Sequence, residues 1–226
     1  MIYKRKAADF IEKYKHAWVM LYALIYLPWF FYLEKHVTSN YYVIHSAIDD
    51  KIPFIEFFIV PYLLWFVFIA VVFLYFFFTD VPGFYKLCQF MFSGMTIFLI
   101  ICTLMPNGLD LRPVYFERNN VFVDLVRRLY MIDTPTNVLP SLHVFNSLSA
   151  CVAIYHSEVL RKHKAVCMGS YILAALIILA TVFLKQHSVI DVSAAFAMAV
   201  ILHQFVYEPH EDRVIRLQRR ESFARR

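Results

Sequence analysis

The stretch FFIVPYLLWFVFIAVVFLYFFFT, residues 57–79, contains no charged side chain. A helix of that length reaches across the ~30 Å hydrocarbon layer of a bilayer, which takes roughly 20 residues. Five further runs share the character: 17–33, 87–105, 142–156, 165–184 and 192–207. The run at 142–156 is the shortest and carries His143, Asn146 and His156. With 61% of its residues hydrophobic, the chain lies well above the roughly 45–50% of soluble domains. These runs predict an all-α integral membrane protein built as a six-transmembrane-helix bundle. The first run reads as an anchor, because its flank stays charged as far as Lys15 and no small-residue cleavage site follows.

Orientation follows from lysine and arginine, which stay on the cytoplasmic side. Six spans place both termini on one face. That face carries 15 of the 22 basic residues: five before the first span, Lys86, three at 161–164 and six arginines after Tyr207. The opposite face carries 7, so both termini are expected in the cytoplasm. The net charge of +5 reflects this bias and anionic headgroups, and nucleic acid is not needed as a partner. The four cysteines lie in or beside apolar runs without metal-ligand spacing and read as packed free thiols.

No internal repeat or linker interrupts the chain, so residues 1–226 read as one membrane domain, with a basic cytoplasmic tail at 208–226 that is expected to form a frayed helix. Residues 36–56 are expected along the outer interface, and TDVPGFYK at 79–86 reads as a tight turn. The longest connection, 106–140, is of a length that usually marks a functional loop. Within it, NNVFVDLVRRLYMI places Val121, Leu125, Arg128 and Ile132 near one helical face, which predicts a short interfacial helix between helices 3 and 4.

Span parity then brings polar residues together. Between His143 and His187 lie the fourth and fifth spans alone, so both histidines end on one face, and Arg112 in the 106–140 loop joins them. By the charge rule that face is extracytoplasmic or lumenal. His187 and Asp191 are four apart and stack on one helical face if the sixth span starts near Ser188. The carboxylate can take the imidazole Nδ1–H, leaving Nε2 free. In TNVLPSLHVFNSL, Ser141 suits a helix N-cap, and His143 follows one turn inside a potential anion site, with Asn137 close enough to contribute. Two imidazoles, a guanidinium and helix N–H groups suit phosphoryl transfer: one ring attacks phosphorus, the other protonates the departing alkoxide.

At residues 105–191 the sequence resembles the type 2 phosphatidic acid phosphatase superfamily of membrane phosphatases and lipid phosphotransferases. Arg112-Pro113 matches its Arg-Pro signature. Pro140, Ser141 and His143 match its Pro-Ser-Gly-His signature, with Leu142 at the glycine position, and His187 and Asp191 match its His-x-x-x-Asp signature. The resemblance implies that His187 forms a phosphohistidine, Asp191 orients it, His143 is the general acid, and Arg112 and Ser141 hold the phosphate. It implies a lipid phosphate or phospholipid substrate and no metal or other cofactor. Two family cations are absent: the lysine position is Met105, and the Ser-Arg pair falls on Ala180 and Thr181. Lys185 is a candidate replacement. The PSLH form is similar to the branch containing inositol phosphorylceramide and sphingomyelin synthases, which transfer a phosphorylated headgroup between lipids.

The resemblance implies a lipid phosphatase acting on a phosphatidic acid or isoprenyl pyrophosphate type of substrate. The alternative is an inositol phosphorylceramide synthase-like phosphotransferase, which differs only in the acceptor. A proton-coupled transporter would need polar residues at mid-span, and the first three spans offer almost none. A non-catalytic membrane scaffold would fit the missing cations, although both histidines and the aspartate are present. His203 reads as a packing residue, and His16, His36, His45, His156, His163 and His210 as span-edge or loop residues.

Overall fold

The computed structural model describes residues 12–208. The tail helix expected beyond Glu208 and the charges before residue 12 lie outside the described residues. A 3₁₀ stretch, Lys15–Tyr22, leads into α1 (Ala23–His36). There follow α2 (Ile59–Thr79), α3 (Val81–Leu104), α4 (Val121–Ile132), α5 (Leu142–His156), α6 (Lys164–Phe183) and α7 (Val189–Val206). A backbone without water must satisfy its own polar groups, and the helix does so along one chain. Among the described residues, five helical stretches are long and apolar enough to cross a membrane: Lys15–His36, Glu56–Thr79, Val81–Leu104, Lys164–Phe183 and Val189–Val206. The all-helical architecture is compatible with an integral membrane protein. Large apolar side chains such as Leu24, Phe66, Ile172 and Phe205 are exposed on α1, α2, α6 and α7, as a lipid-facing surface requires.

The shortest of the expected spans, α5, occupies the predicted residues and differs from the rest in its surroundings. It packs against α2, α3, α6 and α7, and Val144, Phe145, Asn146, Ser147 and Ser149 on it are all buried. Fifteen residues rise only about 22 Å, so its polar side chains are covered by protein. Gly94 of α3 allows the closest approach: a Cβ there would overlap the Phe145 ring. All four cysteines are free thiols, three of them buried.

One expectation about connections needs correction. Residues 79–86, expected as a tight turn, are mostly the start of α3. Asp80 alone links α2 to α3, and its carboxylate caps the new helix by accepting from Gly83 N–H at 2.9 Å. Pro82 sits in the first turn, where its missing N–H costs nothing. The 36–56 segment is tied to the 106–140 connection. Its strand β1 (Tyr42–Val43) pairs in parallel with β2 (Asn107–Gly108), and Gly108 also bridges to Thr136. The 106–140 connection is thereby tied down at both ends. Between those ties, α4 docks through Val126, which packs with Ile59, Tyr62, Ala180 and Leu184.

Candidate active site

The α6–α7 corner sets the first histidine. The Thr181 carbonyl accepts both Gln186 N–H at 2.9 Å and His187 N–H at 3.0 Å, turning the chain back while Lys185 takes a left-handed φ of 54°. Ser188 then caps α7 in a capping box with Asp191. Asp191 is fully buried. Its Oδ2 accepts from Ser188 N–H at 2.9 Å and lies 3.4 Å from His187 Nδ1. The carboxylate is the only acceptor this Nδ1 meets among the described residues, so the proton belongs on Nδ1 and Nε2 carries the lone pair.

His143 enters from the first turn of α5. Its ring lies against Tyr62 (centroids 4.6 Å apart) and Trp65 (4.4 Å). The two imidazoles face each other with centroids 5.8 Å apart. Both border one cavity of about 570 Å³. Tyr26, Phe30, Phe31 and Phe98 give it an apolar side, and Glu34, Asp133, Asn137 and Gln186 a polar one.

The expected phosphate-holding residues are placed differently. Ser141 is fully buried and caps α5 by accepting from Val144 N–H at 3.4 Å, while its own N–H donates to the Asp191 carbonyl at 3.2 Å. It joins α5 to α7 beside the carboxylate and does not border the cavity; Leu142 and His143 do. Arg112 lies just behind the wall. Its Nη1 donates to the carbonyls of Asp133 (2.8 Å) and Tyr130 (3.3 Å), its Nη2 to Gln186 Oε1 (2.6 Å), and its plane covers the Tyr130 ring. Lys185 turns away altogether. Its Nζ donates to the carbonyls of Asp49 (2.8 Å) and Ile52 (2.6 Å), so the ammonium expected to replace a missing cation instead pins the 49–52 turn. Burial lowers its pKa, and Asp49 and Asp50 oppose that shift. Thr181, at the position of a family arginine, is buried and bonds Ile178 O.

Several residues of the site carry no sequence signal. Asp49 is buried and accepts from Ser188 Oγ (2.6 Å), Val189 N–H (2.9 Å) and Ser46 N–H (2.8 Å). Glu34 accepts from Thr134 Oγ1 and Asn137 Nδ2. Asp133 accepts from Tyr62 O–H at 3.1 Å; burial raises its carboxyl pKa, and Arg112 beside it works the other way. Gln186 stood in plain view beside His187, and only its lack of charge hid it. Asn137, expected to help hold an anion, gives its N–H to Glu34, and its Oδ1 is buried without a hydrogen-bond partner. His16 stands at the edge of the first apolar stretch, where it is buried with its Nε2 2.9 Å from the Phe77 carbonyl. His203 packs against His156 and Tyr207.

Chemically, the cavity offers an imidazole backed by a buried carboxylate, a second imidazole facing it, and an apolar side. Among the described residues, no group of three or more His, Cys, Asp or Glu is placed to share a metal ion. Comparison with protein-family models, curated proteins and solved structures returns no match.

Proposed function

We propose that this chain is a six-span membrane enzyme that hydrolyses a lipid phosphate or pyrophosphate through a phosphohistidine. Both termini lie in the cytoplasm, α4 lies at the interface, and the site opens at the extracytoplasmic or lumenal end. The charge bias supports the orientation, and the apolar side of the cavity supports a lipid. The observation that carries the reaction is the His187–Asp191 pair facing His143 across one cavity.

In this reading, His187 Nε2 attacks the terminal phosphorus and its P–O bond to the lipid alcohol, or to the lipid phosphate of a pyrophosphate, breaks. His143 gives its proton to the departing oxygen. Water then delivers a proton back to His143 and attacks phosphorus, the P–N bond breaks, and inorganic phosphate leaves. Asp191 holds the Nδ1 proton and stabilises the charge the ring acquires. The first step needs His143 protonated, and the negative charge of a bound phosphate beside its ring is what would favour that form.

A second reading replaces water with a lipid alcohol, so that a phosphorylated headgroup moves between lipids. It is favoured by the commitment of Arg112 to protein acceptors and by the wall, where Glu34 and Asp133 outnumber Lys35. Those carboxylates oppose a dianionic monoester more than a singly charged diester.

The test uses purified protein in mixed micelles with phosphatidic acid, isoprenyl pyrophosphate and phosphodiester lipids. Free phosphate and new lipids are followed for wild type and His187→Ala, and acid-labile phosphoprotein is trapped. Phosphate release and label that both vanish in the variant support the phosphatase. A new phospholipid without free phosphate supports the transferase. Turnover surviving in His187→Ala would sink both.

A further inference from the structure

The end of the bundle opposite the candidate site holds a second pair of imidazoles. His156 closes α5, and His203 stands in the last turn of α7. Their Nε2 atoms lie 3.1 Å apart, with ring centroids at 5.2 Å. Tyr207 stacks on both rings, at 4.6 and 5.6 Å, and Tyr155 meets His156 edge-on. These contacts hold the two nitrogens head to head. At the other end, α5 carries His143 in its first turn and α7 follows His187, and there Ser141 N–H bonds the Asp191 carbonyl. The same two helices are thus bonded to each other at both ends.

Two ring nitrogens at this separation share one hydrogen, so the contact depends on how many protons the pair holds. In the neutral pair one ring donates Nε2–H to the lone pair of the other. A first added proton goes to the remaining Nδ1 lone pair of the donor ring, and the bond becomes charge-assisted. A second finds only the accepting Nε2. It breaks the bond and sets two cations side by side.

Charges reach the pair from several elements. Lys86 of α3 and Arg161 oppose a positive charge on His156, and Glu208 favours one. Asp80, committed to the α3 cap, and Glu158 border a cavity of about 720 Å³ with His156, as do Tyr75 and Tyr207. On the α6 side, Cys151, Tyr155 and Tyr171 border another of about 460 Å³ with both histidines. Imidazole is the side chain that ordinarily changes charge between about pH 5 and 8, so the pair is the titrating element of this cluster. His156 is exposed and His203 half-buried, so protons reach them without crossing the bundle.

We propose that His156 and His203 form a proton-operated clamp between α5 and α7, closed while the pair holds at most one added proton and opened by the second. As pH falls, the clamp first tightens and then opens. On the proposed orientation it reads the pH of the cytoplasm. The clamp does not rest on the phosphoryl-transfer reading, and turnover is not its readout.

Amide hydrogen exchange of the full-length protein in lipid nanodiscs tests this. Mass spectrometry follows the segments 151–157 and 201–207 at about pH 7.5 and about pH 5, with rates corrected for intrinsic exchange. In wild type, protection of both segments is expected to fall by about fivefold or more in acid. His156→Gln and His203→Gln each put an amide in place of one imidazole. An amide donates to a neutral ring and accepts from a protonated one, so both variants are expected to keep their protection within about twofold across that range. His203→Ala removes the partner, and its protection is expected to be low at both pH values.

Wild-type protection that does not change with pH overturns the proposal without any variant. An equal fall in wild type and in the glutamine variants overturns it too, because acid then loosens this end through other groups. An acid-sensitive wild type beside an insensitive glutamine variant supports the clamp, and either variant suffices if the other fails to fold.

Discussion

Asp49 Oδ2 accepts the Ser188 hydroxyl at 2.6 Å across a separation of 139 residues. The same carboxylate takes Val189 N–H through Oδ1, so the start of α7 is capped from outside as well as by its own Asp191. A helix N-terminus stabilises negative charge, and here two carboxylates share one. The consequence is positional, because Ser188 follows His187 and fixes the direction from which its ring reaches Asp191.

Asp49→Ala is expected to cost roughly 2–4 kcal/mol, since it strips a buried hydroxyl and two N–H groups of their acceptor. Thermal unfolding in detergent measures this. If the proposed reaction holds, the rate at which His187 is phosphorylated falls more than lipid binding does. Asp49→Asn retains one acceptor and is expected to fall between. An Asp49→Ala protein as stable as wild type would show that the contact does not anchor the corner.

How much of this was legible beforehand depended on range. Five long apolar helices were legible because bilayer thickness and helix rise leave few options for an uncharged run, and His143 and His187 do meet on one cavity. The start of α3 was misread because Val-Pro-Gly resembles a turn, whereas Asp80 makes it a capped first turn. Asp49 and Glu34 could not be found: nothing in a single chain ties residue 49 to 188 or residue 34 to 137. Lys185 shows the converse. A cation two residues from a nucleophile invited a role at the site, and a left-handed backbone turned it toward Asp49 and Ile52 instead.

Arg112 bonds three acceptors with one planar group while stacking on Tyr130. An ammonium cannot reproduce that fork. Arg112→Lys is therefore expected to lower stability by about 1–3 kcal/mol. It also frees the Gln186 amide to rotate, so on the proposed reaction kcat/KM drops by about 10- to 100-fold. Unfolding midpoints and initial rates measured on one preparation separate the two effects. Equal losses in Arg112→Lys and Arg112→Ala would support the fork geometry over simple charge.

Packing gives a prediction independent of function. Gly94→Ala places a methyl into the Phe145 ring, which is fully buried and touches Phe90. Overpacking of this kind costs roughly 1–3 kcal/mol. Phe145→Leu in the same chain makes room, and the double variant is expected to recover part of the loss. A double variant exactly as unstable as the sum of the two would show that α3 and α5 do not meet there.

Asp133 supplies the pH test. Burial holds its carboxyl above the ordinary value, with the Arg112 charge opposing. The folded state therefore binds this proton more tightly than the unfolded state. As pH rises through the window between the two values, the native carboxyl must ionise against its burial, and stability falls; as pH drops back through the window, that cost is relieved. Asp133→Asn removes the titration while keeping an acceptor for Tyr62. Relative to wild type, the variant is expected to gain stability as pH rises above the ordinary carboxylate value of about 4, and to stop gaining once the folded carboxyl has ionised. Unfolding midpoints across that range check it. A constant difference would mean that Arg112 fully offsets the burial, and a gain on the acid side would reverse the sign and place Asp133 in a stabilising ion pair.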